Sequence, residues 1–223
     1  MKFNLKIIIY IVMVFSINLI NSELSGYTMT RLHYDGGGDW YNDPDVLPNL
    51  ATFIDSTLQS KTFEASQKAI SISDSKLFEQ PFLYMTGHGN INFSKSDIKN
   101  LREYLLNGGF IYADDDFGMD KSFRREIKKL FPEYSLQELP KSHPIFHSYF
   151  QFENGLPKIH KHNGKRPQAF AIFDKNHRMM ILYTYESNIS DGWASANVHH
   201  DPKKIRTIAL KMGLNILYYI MSQ

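Results

Sequence analysis

Apolar and polar positions change their period several times along the chain, and each change marks an element. Met29-Thr30-Arg31-Leu32-His33-Tyr34 alternates as a half-buried strand does. Beyond a glycine-rich stretch, Leu47, Leu50, Phe53, Ile54 and Leu58 recur at helical spacing. Residues 69–72 read as a short strand, and residues 82–86 as a longer, fully apolar one. Ser94, with Asp97 three positions on, has capping-box spacing. The helix it opens shows Ile98, Leu101, Tyr104 and Leu105 on one side and stops at Asn107-Gly108-Gly109. Phe110-Ile111-Tyr112-Ala113 is then a buried strand, followed by a helix carrying Phe123, Ile127 and Leu130 and ending before Pro132.

From Tyr134 the periodicity loosens, and residues 139–167 read as a long functional excursion over the sheet edge. Residues 168–173 and 179–185 are predicted strands joined through Asp174-Lys175-Asn176-His177, an antiparallel hairpin. A last helix places Ile205, Ile208, Ala209, Met212, Ile216 and Tyr219 on one stripe. Strand and helix alternating in this way predict an α/β fold: a mostly parallel sheet covered on both faces, a three-layer sandwich with a C-terminal β-hairpin. No internal repeat or low-complexity tract interrupts it.

Composition changes this picture at the N-terminus. Lys2 and Lys6 precede an apolar run from Ile7 to Ile20, then Asn21 and Ser22, the layout of a secretory signal peptide over residues 1–22. Residues 23–223 are then a single domain, expected in the periplasm or outside the cell; if the leader is kept, it is the one membrane contact. Without Lys2 and Lys6 the formal charge falls from +2 to zero, which argues against a nucleic-acid partner. The chain has no cysteine, which excludes thiol nucleophiles, disulfides and thiolate metal sites.

Candidate chemistry gathers where predicted strands end. In Thr86-Gly87-His88-Gly89, two glycines permit a sharp turn that holds His88 above the sheet edge. His88 reads as a general acid or base or as a metal ligand, or else as an imidazole that merely fixes its turn. Asp114, Asp115 and Asp116 end the next strand and read as groups that hold a cation, orient His88 or accept sugar hydroxyls, with Asp115 the expected catalytic partner of His88 and Asp114 and Asp116 expected ligand-binding residues; one acid capping the next helix with another solvated is the alternative. Asp35, Gly37, Asp39 and Trp40, together with Gly87, Gly89, Asp191, Trp193 and His199, form a mixed aromatic and polar set suited to a carbohydrate-like ligand. The tryptophans read equally well as lids on the core. His143 with His147, and His160 with His162, are spaced so that two pairs in one segment would make a nitrogen-rich site for a divalent metal; solvated loop histidines are the alternative. Arg124 and Arg125 read as surface charges.

Six blocks also carry a resemblance: Tyr34-Asp35-Gly36-Gly37-Gly38-Asp39-Trp40-Tyr41, Thr86-Gly87-His88-Gly89, Gly108-Gly109-Phe110-Ile111-Tyr112-Ala113-Asp114-Asp115, Ser122-Phe123-Arg124-Arg125-Glu126, His143-Pro144-Ile145-Phe146 and Asp191-Gly192-Trp193. In this order they resemble the bacterial family called domain of unknown function 4159, which has no agreed activity. The resemblance implies a flavodoxin-like sandwich related to class I glutamine amidotransferases. In that superfamily the elbow carries a cysteine; His88 stands in its place here, so thiol-dependent glutamine hydrolysis is excluded. Two functions follow as expectations: an exported domain binding a small polar ligand or an envelope protein, or a hydrolase using His88 with Asp115, with or without a metal.

Overall fold

Alternation along the buried strands decides how this chain layers. Phe82 and Tyr84 enter one apolar cluster while Leu83 and Met85 enter another; Phe110 and Tyr112 divide from Ile111 and Ala113 in the same way. A strand buried on both sides must sit inside a sheet covered on both sides. The computed structural model describes residues 26–223 apart from residue 67, so the expected leader lies outside the described residues.

The chain order is β1 (Tyr27–His33), α1 (Val46–Leu58), β2 (Phe63–Ala65), β3 (Ile70–Ser71), β4 (Phe82–Gly87), α2 (Lys95–Leu106), β5 (Ile111–Asp115), α3 (Asp120–Leu130), β6 (Gln137–Glu138), β7 (Gln168–Phe173), β8 (Met179–Tyr185) and α4 (Lys203–Met221). These form an α/β fold whose eight-stranded mixed sheet runs β2-β1-β4-β5-β8-β7-β6, with β3 also paired to β1. The pairs among β2, β1, β4, β5 and β8 are parallel; β7 runs antiparallel to β8, and β6 to β7. Two short strands share the edge beside β1: β2 pairs with Tyr27–Met29, and β3 with Leu32 and His33. β2 and the exposed two-residue β6 have too few residues to show a period, so the sequence pattern does not reveal them.

Apolar stripes of α1 and α4 pack with Met29, Tyr84, Tyr112 and Leu182 on one side. Those of α2 and α3 pack with Leu32, Met85, Ile111 and Tyr183 on the other. Ser94 caps α2 as its spacing predicts: its hydroxyl accepts from the Asp97 N–H (3.1 Å), and Asp97 Oδ2 accepts from the Ser94 N–H (2.8 Å). No described helix is long and apolar enough to cross a membrane.

The loop between β4 and α2, which begins at His88, is held by α3. Ser122 Oγ donates to the Gly89 carbonyl (3.1 Å), and Arg125 donates to Asn90 Oδ1 (3.0 Å) and to the Ile91 carbonyl. The side chain of Glu126 is fully buried; it accepts from the Phe93 N–H (3.1 Å), Arg125 Nε (2.6 Å) and Lys129 Nζ (2.8 Å). Arg125 is therefore part of the scaffold rather than a surface charge. Arg124 bonds Asp120 (2.7 Å) and lies 4.5 Å over the Phe170 ring.

Burial pushes the Glu126 carboxyl up, but hydrogen bonds from Lys129, Arg125 and the Phe93 N–H outweigh it and hold its pKa below the usual range. A carboxyl depressed in the folded state contributes stability above its unfolded pKa, about 4.3 for glutamate, and loses that contribution as pH falls through the folded value. Glu126→Gln should lower stability by roughly 1–3 kcal/mol at neutral pH, because it weakens charge-assisted bonds around a buried group. It should also flatten the acid limb of a melting-temperature profile below about pH 4.3. Wild type and variant losing stability in parallel on acidification would contradict this.

Candidate functional site

The strand order reverses between β1 and β4: from β1 the chain moves to β2 and β3 on one side and then crosses to β4 on the other. In an open α/β sheet, ligands collect in the crevice at such a reversal, beyond the C-terminal strand ends. Here that crevice lies between the triple-glycine loop after β1 and the His88 loop after β4. The two loops are stitched backbone to backbone: Gly38 N–H to the Asn90 carbonyl (3.0 Å), Asp39 N–H to the His88 carbonyl (3.3 Å) and Asn92 N–H to the Asp35 carbonyl (2.8 Å).

Glycine is needed where they meet. A Cβ on Gly38 would lie 2.7 Å from Tyr34 Oη and 2.8 Å from the His88 carbonyl. Gly87 has φ +137°, and a Cβ there would lie 2.5 Å from Tyr34 Oη and 3.1 Å from the Asp39 backbone. This close approach brings Asp39 onto His88. Asp39 Oδ1 accepts from the His88 N–H, and Oδ2 lies 2.9 Å from His88 Nδ1. Burial pushes the Asp39 carboxyl up, but the His88 backbone and ring bonds prevail and hold it below the usual carboxylate range. Arg31, buried on β1, braces the same loop through the Trp40 (2.7 Å) and Asp43 (2.8 Å) carbonyls.

The three aspartates that end β5 go three ways. Asp114 is fully buried among Thr184, the Ser190 N–H (2.6 Å) and Ser190 Oγ (2.6 Å), and burial pushes its pKa up to about 7. Asp115 accepts from the Met119 N–H (2.8 Å) at the start of α3, with its pKa raised to about 6 by burial. Asp116 alone reaches the crevice, 3.6 Å from His88 Nδ1 and bonded to Asn42 and Asn188 (2.7 Å). His88 thus faces Asp39 and Asp116. The expected partner, Asp115, is instead bonded to the Met119 N–H just before α3, because successive strand residues point to opposite faces.

The segment that leads into β7 and the loop after β8 close the other wall. His160 Nδ1 lies 2.9 Å from Asp191 Oδ2, and its Nε2 lies 3.0 Å from Asp201 Oδ2. His199 Nε2 lies 2.7 Å from Asp43 Oδ2, and Asn188 Nδ2 donates to both Asp116 (2.7 Å) and Asp191 (2.7 Å). Asp39, Asn42, Asp43, Asp116, Asp191, Asn188, Phe117 and the imidazoles of His88, His160, His162 and His199 surround an open cavity of about 560 Å³. Among the described residues four carboxylates and four imidazoles line it, and no lysine or arginine does. Burial and the Asp191 charge push Asp116 well above the carboxylate range; bonds from His160 and Asn188 hold Asp191 below it despite burial. His160 is raised to about 9, chiefly by its bond to Asp191, while burial lowers His162.

Backbone strain gathers here as well. Asp43 (φ +45°), Phe117 (+76°), His162 (+42°), Glu186 (+57°), Asn188 (+55°) and His200 (+56°) all adopt left-handed conformations in or next to the cavity walls. For a bulky residue such as Phe117 this conformation is costly and persists only where the surroundings enforce it.

Several residues singled out from sequence lie elsewhere. Trp193 is buried between Tyr84 and Tyr112 (ring centroids 6.0 and 5.7 Å) and donates Nε1–H to the Ala209 carbonyl (2.9 Å), so it is core rather than ligand surface. Trp40 packs at a tilt against His33 (ring centroids 4.2 Å) and lines a separate hollow of about 300 Å³. Asp35, Gly37, Gly87 and Gly89 shape the loops without lining the cavity. His143 packs on Phe173 and Tyr219, and Phe173 pairs with Met179 at the beginning of β8. That is the opposite sheet edge, roughly 20 Å away at about 3.3 Å per strand residue. His147 bonds the Lys141 carbonyl (3.0 Å) and Gln151 (2.9 Å). The two histidine pairs therefore do not share a site. Asn42, Asp43 and Asn188 were missed, although each stands in a polar break directly after an apolar strand or its glycine loop.

A family model described as "Domain of unknown function (DUF4159)" matches residues 28–221, almost the whole described chain. A search of curated proteins gives no match.

Since Gly87 has no room for a side chain, Gly87→Ala should cost about 1–3 kcal/mol. It should also separate Asp39 from His88, read as lower urea stability together with changed His88 ring chemical shifts by NMR. An alanine variant matching wild type in both would show that the glycine is dispensable.

Proposed function

This chain belongs to the DUF4159 family, and we propose that it is an exported hydrolase acting on a small, uncharged or cationic polar molecule held over the strand ends. One observation carries the reading: at the edge of a polar cavity His88 is bound through Nδ1 to Asp39, while its Nε2 makes no hydrogen bond among the described residues. A carboxylate on Nδ1 fixes the tautomer in which Nε2 is the base, and it stabilises the imidazolium formed when Nε2 takes a proton. Among the described residues the cavity walls contain no serine, threonine or cysteine, and a water activated by His88 is the nucleophile of this reading. Nε2 accepts a proton as the water oxygen bonds to the electrophilic carbon, and the imidazolium returns that proton to the leaving group.

The four carboxylates and missing cations disfavour phosphorylated or carboxylated substrates on Coulombic grounds. A neutral, hydroxyl-rich molecule of the carbohydrate kind fits better, since aspartate and asparagine oxygens accept its hydroxyls and the half-exposed Phe117 ring offers a face for stacking. That exposed ring also favours a second reading, a binding module without turnover for such a ligand or for an envelope protein. Support for a flavodoxin-like, amidotransferase-like sandwich with a C-terminal hairpin comes from the parallel order β2-β1-β4-β5-β8, the flavodoxin pattern once β2 and β3 count as one edge strand. The position of His88 between two glycines adds to it. Support for export is the order of charged, apolar and small polar residues over positions 1–22.

A panel of neutral glycosides, esters and amides, set against their phosphorylated counterparts, tests the proposal. Wild type should turn over a neutral member, and His88→Ala should lower kcat/KM by roughly 10²–10⁴-fold while keeping its melting temperature. Asp39→Asn should lose activity in the same direction. A ligand that raises the melting temperature without turnover would favour the binding module; full activity in His88→Ala would overturn the assignment.

A further inference from the structure

Beyond the Asp39–His88 pair the cavity wall has features that the pair does not use, although one of the residues concerned, Asp116, also lies 3.6 Å from His88 Nδ1. Two groups of three side chains, His160–Asp191–His199 and Asp43–Asp116–Asp191, each offer ligand atoms within 4.8 Å of one another, and Asp191 belongs to both. The donors thus converge on one place instead of being scattered over a surface. Among the described residues no lysine or arginine lines the cavity, so none of them offsets these carboxylates with a fixed positive charge.

A second observation is independent of the cluster. Asn188, which lines the same cavity, is only 2% exposed, and its Oδ1 has no hydrogen-bond donor among the described residues. A buried amide oxygen without a partner is costly and calls for an explanation. Its Nδ2 is already used on Asp116 and Asp191, which fixes the amide so that Oδ1 is the atom left over. The outer support is also in place: His160 turns Nδ1 to the cluster and Nε2 to Asp201 (3.0 Å), the carboxylate–imidazole arrangement that orients metal-bound histidines.

We propose that His160, His199 and Asp191 bind a divalent transition metal, with Asp43 and Asp116 as further carboxylate donors and Asn188 Oδ1 facing the ion or a water upon it. Two imidazoles among the donors select zinc, iron or manganese over calcium and magnesium, which prefer oxygen alone. The proposal does not depend on hydrolysis, since none of these residues belongs to the Asp39–His88 pair. It also replaces the pairing of His143 and His147 with His160 and His162, because one pair lies at the other edge of the sheet.

Binding of Zn²⁺ to untagged, chelator-treated full-length protein, followed by calorimetry, tests it without reference to turnover. Wild type should take up one equivalent and should bind Mg²⁺ far more weakly. His199→Ala and Asp191→Asn should each weaken Zn²⁺ at least tenfold. Asp201→Asn, which touches only the outer nitrogen of His160, should weaken it by roughly 10–100-fold. His147→Ala should change nothing. If a variant fails to fold, X-ray absorption of zinc-loaded wild type should still show two imidazole ligands. Absence of saturable Zn²⁺ binding, equal affinity for Mg²⁺, indifference to His199→Ala, or a zinc spectrum with only oxygen ligands would each overturn the proposal. Metal uptake without turnover would leave it standing and count against the hydrolase alone.

Discussion

A glycine-flanked turn fixes nothing by itself; its freedom has to be removed by partners for every backbone group that it buries. The loop that begins at His88 finds them on two sides. The triple-glycine loop supplies carbonyls, N–H groups and the Asp39 carboxylate. Helix α3 supplies Ser122, Arg125 and Glu126, which contact Gly89, Asn90, Ile91 and Phe93 in succession. The orientation of His88 therefore depends on this double clamp, and the clamp depends on one buried carboxylate, Glu126, whose negative charge is stabilised by Arg125 and Lys129.

The opposite wall depends on the same two loops. Asn42 reaches Asp116 and Asp43 reaches His199 because Arg31 holds the backbone at Trp40 and Asp43 from below. Asp45, at the entry to α1, accepts from the Ser195 N–H (3.1 Å) and so ties the segment after Trp193 to the same corner. Left-handed backbone at Phe117, Asn188 and His162 is sustained by this cross-bracing. Burying several carboxylates together costs solvation energy, and the chain meets it with asparagine amides and imidazoles rather than with fixed cations. Such a wall suits a ligand or ion that brings positive charge or hydroxyl groups, and it repels anions.

Much of this could be read before any coordinates. The 3.6-residue stripes of Leu47–Leu58, Ile98–Leu105 and Phe123–Leu130 and the apolar runs at 82–86 and 110–113 belong to elements where expected, because burial on a fixed face leaves a period in sequence. Glycines on either side of His88, and aspartates following an apolar strand, marked the rim where the cavity lies. Short strands such as β2 and β6 left no trace, because two or three residues cannot display a period.

Sequence by itself settled the alternation of strands and helices, the absence of thiol chemistry and the edge at which polar groups gather. Each follows from residue type and local spacing. Tertiary structure alone decided that His88 meets Asp39 and Asp116 instead of Asp115, that Trp193 is core, and that His160 joins His199 rather than His143. These depend on which way a side chain points from a strand end and on which loops fold back over the sheet. Contacts between residues 49 or 156 positions apart leave no local pattern in the chain.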